Sequence, residues 1–500
     1  MHCVAASGRC RSRCTPRRVF YNPPLQPINP ATPRAVMADD SNTDGARDLE
    51  GLLMDVARRA AGYLASLEHR GVAPVPDAIA SLAALDEPMP DGPTDARRVI
   101  ATLDDVVGPA TMGMAGPRFF GFVFGGSLPV TLAANWLAGT WDQNTAFGRI
   151  TPGVSRLEEV ALRWLKDLLG LPTSTQGAFV TGATMANFTA LAAARHRVLA
   201  DAGWDVEADG LIGAPPVSVI VGEEAHPTLF KSLGLLGLGR NRVVRVPVDE
   251  QGRMRAASLP RIEGPTILCL QAGNINSGAF DPFGDICPAA RAAGAWVHVD
   301  GAFGLWARAS PRLAPLLEGV DLADSWATDA HKWLNVPCDS GLAFVREPGT
   351  LPAAMAIIAA YLPVDEAVRN PADYTPELSR RARGVEVWAA LRSLGRRGLA
   401  ELFERNCRQA RRFAERLGAA GFEVLNDVVL NQVVVSFGAP ETTLAIIDAI
   451  QADGTCWAGA TTWRGRKGMR ISVSSWATTD EDVERSADAM IRIAANHREE

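Results

Sequence analysis

The sequence predicts an α/β protein: a mainly parallel central sheet with helices on both faces, preceded by a helical segment and followed by a smaller α+β domain. After Gly170, short β-branched runs at 178–181, 217–221, 243–246, 266–270, 296–299, 325–328 and 342–345 alternate with Ala-rich helical runs. That alternation is the pattern of strands joined by crossover helices. Before it, Leu52, Leu53, Val56, Ala60, Tyr63, Leu64 and Leu67 recur at the three- and four-residue spacing of an amphipathic helix.

Further helices are expected from Asp95 to about Val107, over 128–141 and over 154–169. Between the first two of these, Phe119-Phe120-Gly-Phe-Val-Phe-Gly-Gly is too rich in glycine and aromatic rings for a helix interior and reads as a loop or short strand. From Ser379 the chain turns helical again to about Leu417. A strand at 431–437, a helix at 441–452, a strand at 469–473 and a last helix from Thr479 follow. The expected domains are an extension over 1–44, a helical segment over 45–116, a large domain over 117–375 and a small one over 376–500.

The first 36 residues hold six arginines, no acid and three of the eight cysteines. Their proline cluster from Pro23 to Pro33 would break a targeting helix, so a disordered extension, with Met37 as an alternative start, fits better than a transit peptide. The whole chain of 500 residues is 47% hydrophobic and 21% charged, which excludes a disordered or fibrous class. A formal charge of −6 offers no basic field for a nucleic acid. The later cysteines, such as Cys269, Cys287 and Cys407, are scattered without disulfide or zinc spacing, so a cytoplasmic setting and no metal site are expected. No apolar run reaches the roughly 18 to 20 residues of a membrane span.

The run Trp296-Val-His-Val-Asp300 reads as a strand ending in an acid, and Gly301-Ala302-Phe303-Gly304 follows it. A carboxylate at the end of a buried strand is costly unless a cation meets it. A second strand-like run leads to Thr328-Asp329-Ala330-His331-Lys332-Trp333 and sets a lysine at another strand end. Ligands of such sheets bind at this edge. Taken alone, Asp300 reads as a strand-end cap and Lys332 as a solvated lysine. Together, an amine that can form a Schiff base and an acid that keeps a pyridine nitrogen protonated are what pyridoxal 5′-phosphate chemistry needs.

A cofactor phosphate needs clustered backbone donors, which a glycine turn entering a helix supplies. Val180-Thr-Gly-Ala-Thr-Met-Ala-Asn187 is such a turn, though a common one. His226 follows another expected strand and reaches the same edge, where an imidazole can stack on a ring; a lone histidine there is as readily structural. His298 alternates with Val297 and Val299 inside its strand and reads as structural.

With Ala225-His226, Ala272-Gly-Asn-Ile-Asn-Ser-Gly-Ala-Phe-Asp281, His298-Val-Asp-Gly-Ala-Phe-Gly304, Asp324 through Pro337 and Leu378-Ser-Arg-Arg381, these motifs closely resemble the group II pyridoxal phosphate-dependent amino-acid decarboxylases over about residues 45–490. The resemblance implies the fold-type-I architecture, a homodimer with active sites at the subunit interface, and decarboxylation of an L-amino acid to its amine. It makes Lys332, Asp300 and His226 the catalytic set: Lys332 as the Schiff-base lysine, Asp300 on the pyridinium and His226 stacked on the ring. It puts Ala183 and Thr184 on the phosphate and Ala302 beneath the ring. Asn274, Thr328 and His331 line the same site, and Phe119 and Phe120 border the substrate pocket, although core packing suits both rings equally.

Two departures bear on substrate and product. Tyr374 occupies a neighbouring position rather than that of the family's loop tyrosine before Ser379, on a loop that is also short, and Cys338 stands where many relatives have Tyr. Transamination or oxidative deamination, and less readily a non-catalytic scaffold, are the competing readings. Arg118 and Arg149 leave acidic substrates open.

Overall fold

Seven strands build the central sheet: β1 (Gln176–Val180), β2 (Ser218–Gly222), β3 (Val244–Val246), β4 (Thr266–Gln271), β5 (Trp296–Asp300), β6 (Ser325–Asp329) and β7 (Gly341–Val345). They appear in a computed structural model that describes residues 43–357 and 368–499. Every strand expected for this sheet is found, with ends displaced by no more than two residues. The extension expected over 1–44 lies almost wholly outside the described residues. Residues up to Asp55 and residues from Val56 onward fall into separate units. The helix Thr43–Ser66 runs through that boundary, and all the strands belong to the second unit.

The sheet order is β1-β7-β6-β5-β4-β2-β3. The pairs β3·β2, β2·β4, β4·β5 and β5·β6 are parallel, whereas β7 lies antiparallel between β6 and β1. The chain from Asp329 to Gly341 is too short for the crossover that a parallel neighbour of β6 would need, so β7 turns straight back. Because β1 is antiparallel to β7, it points the same way as β5 and β6, and its carboxyl end reaches the same edge. Glycine is required where these strands meet: a Cβ on Gly341 would stand 2.5 Å from the Gly182 Cα.

Every residue of β5, β6 and β7 is buried, as expected of strands covered on both faces. The helix Ala183–Ala200 packs on this part of the sheet and buries Ala186, Asn187, Ala190, Leu191 and Ala194. Its small side chains let the backbones approach closely. Trp306, Trp326, Trp333 and Phe344 fill the core below, each such fully buried ring contributing about 1.5–3 kcal/mol.

A second, antiparallel sheet is ordered β10-β11-β9-β8, from β8 (Glu423–Val424), β9 (Gln432–Ser436), β10 (Gly459–Trp463) and β11 (Arg466–Ser472). With the helices Gly384–Ala419, Pro440–Asp453 and Asp480–Glu499 it closes a separate core around Phe413, Val433, Ile446, Met469 and Met490. The long helix is broken at Gly395, whose φ of 59° and extended ψ interrupt the helical ladder.

Candidate active site

The carboxyl ends of β1, β2, β5 and β6 lead into Ala183, His226, Asp300 and Lys332, four of the residues picked out from sequence. Asp300, the last residue of β5, is 6% exposed. Its Oδ2 accepts from Asn187 Nδ2 at 3.1 Å and its Oδ1 from the Ala302 backbone at 3.2 Å. Burial raises the Asp300 carboxyl above the ordinary range, against the pull of His226, Lys332 and these hydrogen bonds.

Lys332 stands three residues beyond the end of β6, its Nζ 3.0 Å from Asp329 Oδ2. The other oxygen of Asp329 accepts from the Ala183 amide at 2.5 Å. The backbone after the lysine is pinned on two sides. Trp333 is fully buried with its indole donating to Asn406 Oδ1 at 3.0 Å, and Asn335, in the left-handed region at φ 57°, donates to Ser474 O at 3.0 Å and accepts from the Trp476 amide at 2.8 Å. A flexible amine thus sits on a rigid base. The chain has only four lysines. Lys231 is exposed, Lys166 donates to Thr173 O and Lys467 to Thr462 Oγ1, so Lys332 alone meets buried acid at this edge.

His226 caps the helix Pro227–Leu235, its Nδ1 accepting from the Thr228 amide at 3.3 Å. Burial lowers its basicity, and Lys332 and Arg470 act in the same sense against Asp300 and Asp329. The imidazole is therefore neutral near pH 7, with its hydrogen on Nε2. His226 and Asp300 line one pocket at the sheet edge, and Lys332 follows β6, the parallel neighbour of β5.

The remaining expected residues divide. Ala183 opens its helix after Gly182, which has no side chain to cap it, and Thr184 follows half-buried. Ala302 ties the two strand ends together, its carbonyl accepting from the Asp329 amide at 2.9 Å. His331 Nδ1 lies 2.8 Å from Ser340 O. Thr328 is fully buried with Oγ1 lacking a hydrogen-bond partner among the described residues. Asn274 is engaged in its own turn, donating to Glu224 Oε2 at 2.9 Å and accepting from the Asn276 amide at 2.8 Å.

Phe119 and Phe120 are packed away, each 1% exposed: Phe119 stacks on Trp457 with centroids 5.0 Å apart, and Phe120 meets Phe413 edge-on in the core of the small sheet. Apolar burial outweighs pocket lining for these two rings. Phe124 is the ring of this strip that faces the site, 5.8 Å from His331. Arg118 is likewise structural, 3% exposed and spent on Thr455 O, Glu68 O and Asp482. Arg149 is exposed. Tyr374 packs beneath Arg369, with 4.0 Å from guanidinium to ring centre. Part of the stretch before Ser379, residues 358–367, lies outside the described residues. Cys338 is exposed and unpaired.

Four residues escaped the sequence reading. Asn187 lies inside a common Ala-rich helix, and Asp329 was overshadowed by Lys332. Glu224 accepts from both Asn274 and Trp463. Arg470 on β11 is half-buried, has no hydrogen bond or ion pair from its side chain among the described residues, and lies near enough to lower the basicity of His226. Its signal was a lone arginine alternating with apolar residues in Met469-Arg-Ile-Ser.

The profile of the family described as the pyridoxal-dependent decarboxylase conserved domain matches residues 79–438. The aromatic-L-amino-acid decarboxylase of Bacillus atrophaeus is 28% identical over 379 residues, 73% of this chain and 76% of that protein. Cysteine sulfinic acid decarboxylase of Rattus norvegicus is 30% identical over 296 residues, 57% of this chain and 59% of its own. The crystal structure of Oryza sativa TDC with PLP and tryptamine superposes with a TM-score of 0.83 at 23% identity, covering 90% of this chain and 98% of that one. The fold is therefore that of fold type I, as the motifs implied. By the extent of the family match, this chain belongs to the pyridoxal-dependent decarboxylases, enzymes that use pyridoxal phosphate to remove the carboxylate of an amino acid.

Proposed function

We propose that the chain decarboxylates an L-amino acid to its amine with Lys332 as the cofactor-bearing residue. The observation that supports the proposal is that His226 and Asp300 line one pocket while Lys332 follows the neighbouring strand end, its Nζ 3.0 Å from Asp329 Oδ2. The donor set fits pyridoxal phosphate: a buried carboxylate for the ring nitrogen, a neutral imidazole for the ring face, an amine for the aldehyde, and the uncapped helix start at Ala183 and Thr184 for the phosphate. When bound, that group supplies an electron sink for the bond to the departing carboxylate. Asp300 holds a proton at the ring nitrogen. His226, fixed by Thr228, sets the plane of the ring. Lys332 anchors the aldehyde, and Asp329 Oδ2 orients its free amine. Ala302 spaces the two strand ends so that both acids face one crevice.

A homodimer and a cytoplasmic setting belong to the same reading. Support for the first is exposed apolar surface on the helix Pro129–Trp141, where Trp136 is 42% and Leu137 52% exposed. Support for the second is that all five described cysteines are unpaired. No helix among the described residues is long and apolar enough to cross a membrane.

The test is a panel of L-amino acids assayed for CO₂, amine and keto acid, with Lys332→Ala as control. Equal amounts of CO₂ and amine from at least one amino acid, lost in Lys332→Ala, are expected. Keto acid without CO₂, or turnover that survives Lys332→Ala, contradicts the proposal.

A further inference from the structure

Five polar side chains run in a line beneath the candidate site, each 6% exposed or less: Trp296, Ser325, His298, Asn187 and Asp300. Trp296 Nε1 lies 2.8 Å from Ser325 Oγ. An indole N–H only donates, so the serine oxygen accepts and its own hydrogen is free to turn toward His298 Nδ1, 2.9 Å away. With Nδ1 accepting, a neutral imidazole carries its hydrogen on Nε2, which lies 2.8 Å from Asn187 Oδ1. That contact fixes the orientation of the amide, and Asn187 Nδ2 donates to Asp300 Oδ2 at 3.1 Å. A donor-only indole at one end and a carboxylate that accepts from Asn187 at the other thus fit a single direction through four successive hydrogen bonds. Burial supports the neutral form, pushing the imidazole down to about 3.

We propose that Asn187 and His298 are positioning residues for Asp300, a directed relay that keeps a donor, never a lone pair, against its carboxylate and holds it in one orientation toward the cofactor ring. Reversal of any link would turn Asn187 Oδ1 onto the carboxylate and set two acceptors face to face in a dry interior. A buried network of this kind gains strength from alignment and loses it when one member is missing. The proposal rests on the reading that Asp300 meets the ring nitrogen. It adds that the side chains behind the acid, on the helix Ala183–Ala200 and on β5 and β6, determine how well the acid does so.

The experiment measures pyridoxal phosphate affinity of the full chain by equilibrium dialysis, with folding checked by circular dichroism. Asn187→Leu and His298→Met remove a link with little change of volume, whereas His298→Gln retains an N–H near the Nε2 position. Expected are dissociation constants raised about tenfold or more in the first two and restored to within about threefold in His298→Gln. In parallel, ¹⁵N NMR of the native chain at pH 7 places the His298 hydrogen on Nε2, a readout independent of the cofactor and of whether a variant folds. Native affinity in Asn187→Leu and His298→Met, or a hydrogen on Nδ1, overturns the relay. Native affinity in Asp300→Ala removes the assignment of Asp300 itself and the relay with it, a different failure from native affinity confined to the positioning variants.

Discussion

Asp300 closes β5 and Asp329 closes the neighbouring β6, and each is 6% exposed or less, yet their charges are held by different means. Asp300 receives neutral donors only, the Asn187 amide and the Ala302 backbone, with the nearby charges acting through space. Asp329 is in direct contact with an ammonium, Lys332 Nζ, and with one helix-terminal amide. An acid held by dipoles keeps its capacity to bind an incoming cation, whereas an acid already paired serves to orient its partner. The difference assigns the two carboxylates different work on one sheet edge: Asp300 toward the ring, Asp329 toward the lysine.

Removing the first should cost most. Asp300→Ala is expected to lower kcat by about a thousandfold, near the loss of one preorganised electrostatic group, as read by initial-rate CO₂ release. A fall of less than tenfold would place the two acids on an equal footing. Glu158, fully buried and paired with Arg380 at 3.0 Å and Arg369 at 3.1 Å, provides a contrast in which a paired acid is purely structural. Glu158→Gln leaves the buried Arg380 uncompensated and should cost about 3–5 kcal/mol of stability in urea titrations, while the folded fraction keeps its pyridoxal phosphate affinity. Asp329→Asn retains an acceptor for Ala183 but loses the ion pair, so a fall in kcat of about tenfold together with a lowered melting temperature is expected. A change in cofactor affinity as large as that of Asp300→Ala would erase the distinction.

A pH-dependent effect concerns the relay behind Asp300. His298 sits at about 3 in the fold and near the ordinary imidazole value of about 6.5 when unfolded. Its folded form refuses a proton that the unfolded chain accepts, so the stability it contributes is present above about pH 6.5 and is lost as pH falls toward 3. Below that upper value the native chain should lose about 1.4 kcal/mol per pH unit more than His298→Gln. Parallel acid denaturation curves for the two would show that the histidine is already charged in the fold.

Much of this arrangement was legible beforehand, for reasons that also explain the gaps. β5 and β6 are short runs carrying a tryptophan and small or β-branched residues, and each ends in an acid, so their carboxyl ends, and hence Asp300 and Lys332, are marked in the sequence. β10 was missed because Gly459–Trp463 is half-exposed and carries two threonines where an apolar run was sought. The reversal of β7 was hidden because a strand's direction leaves no mark on its own residues; only the brevity of the 330–340 connection betrays it. Phe119 and Phe120 were matched to a pocket by position, but which of several clustered aromatics faces a cleft depends on the chain's path, and Phe124 takes that place. Asn187 and His298 were invisible as partners because they lie on different elements, one on a helix and one on a strand, and meet only when the helix docks on the sheet. The alternation Val-His-Val spoke for packing, which is correct for the backbone and silent about where the ring's two nitrogens go.

The most direct measurement of the central claim exploits the scarcity of lysine in this chain. The pyridoxal phosphate-loaded protein is reduced with borohydride, digested and mapped by mass spectrometry, with Lys166, Lys231, Lys332 and Lys467 as the only side chains to be distinguished. A stoichiometric phosphopyridoxyl adduct on the peptide containing Lys332, and on no other, is the predicted result. An adduct on one of the other three, or none on Lys332 in a protein that has bound the cofactor, would contradict it.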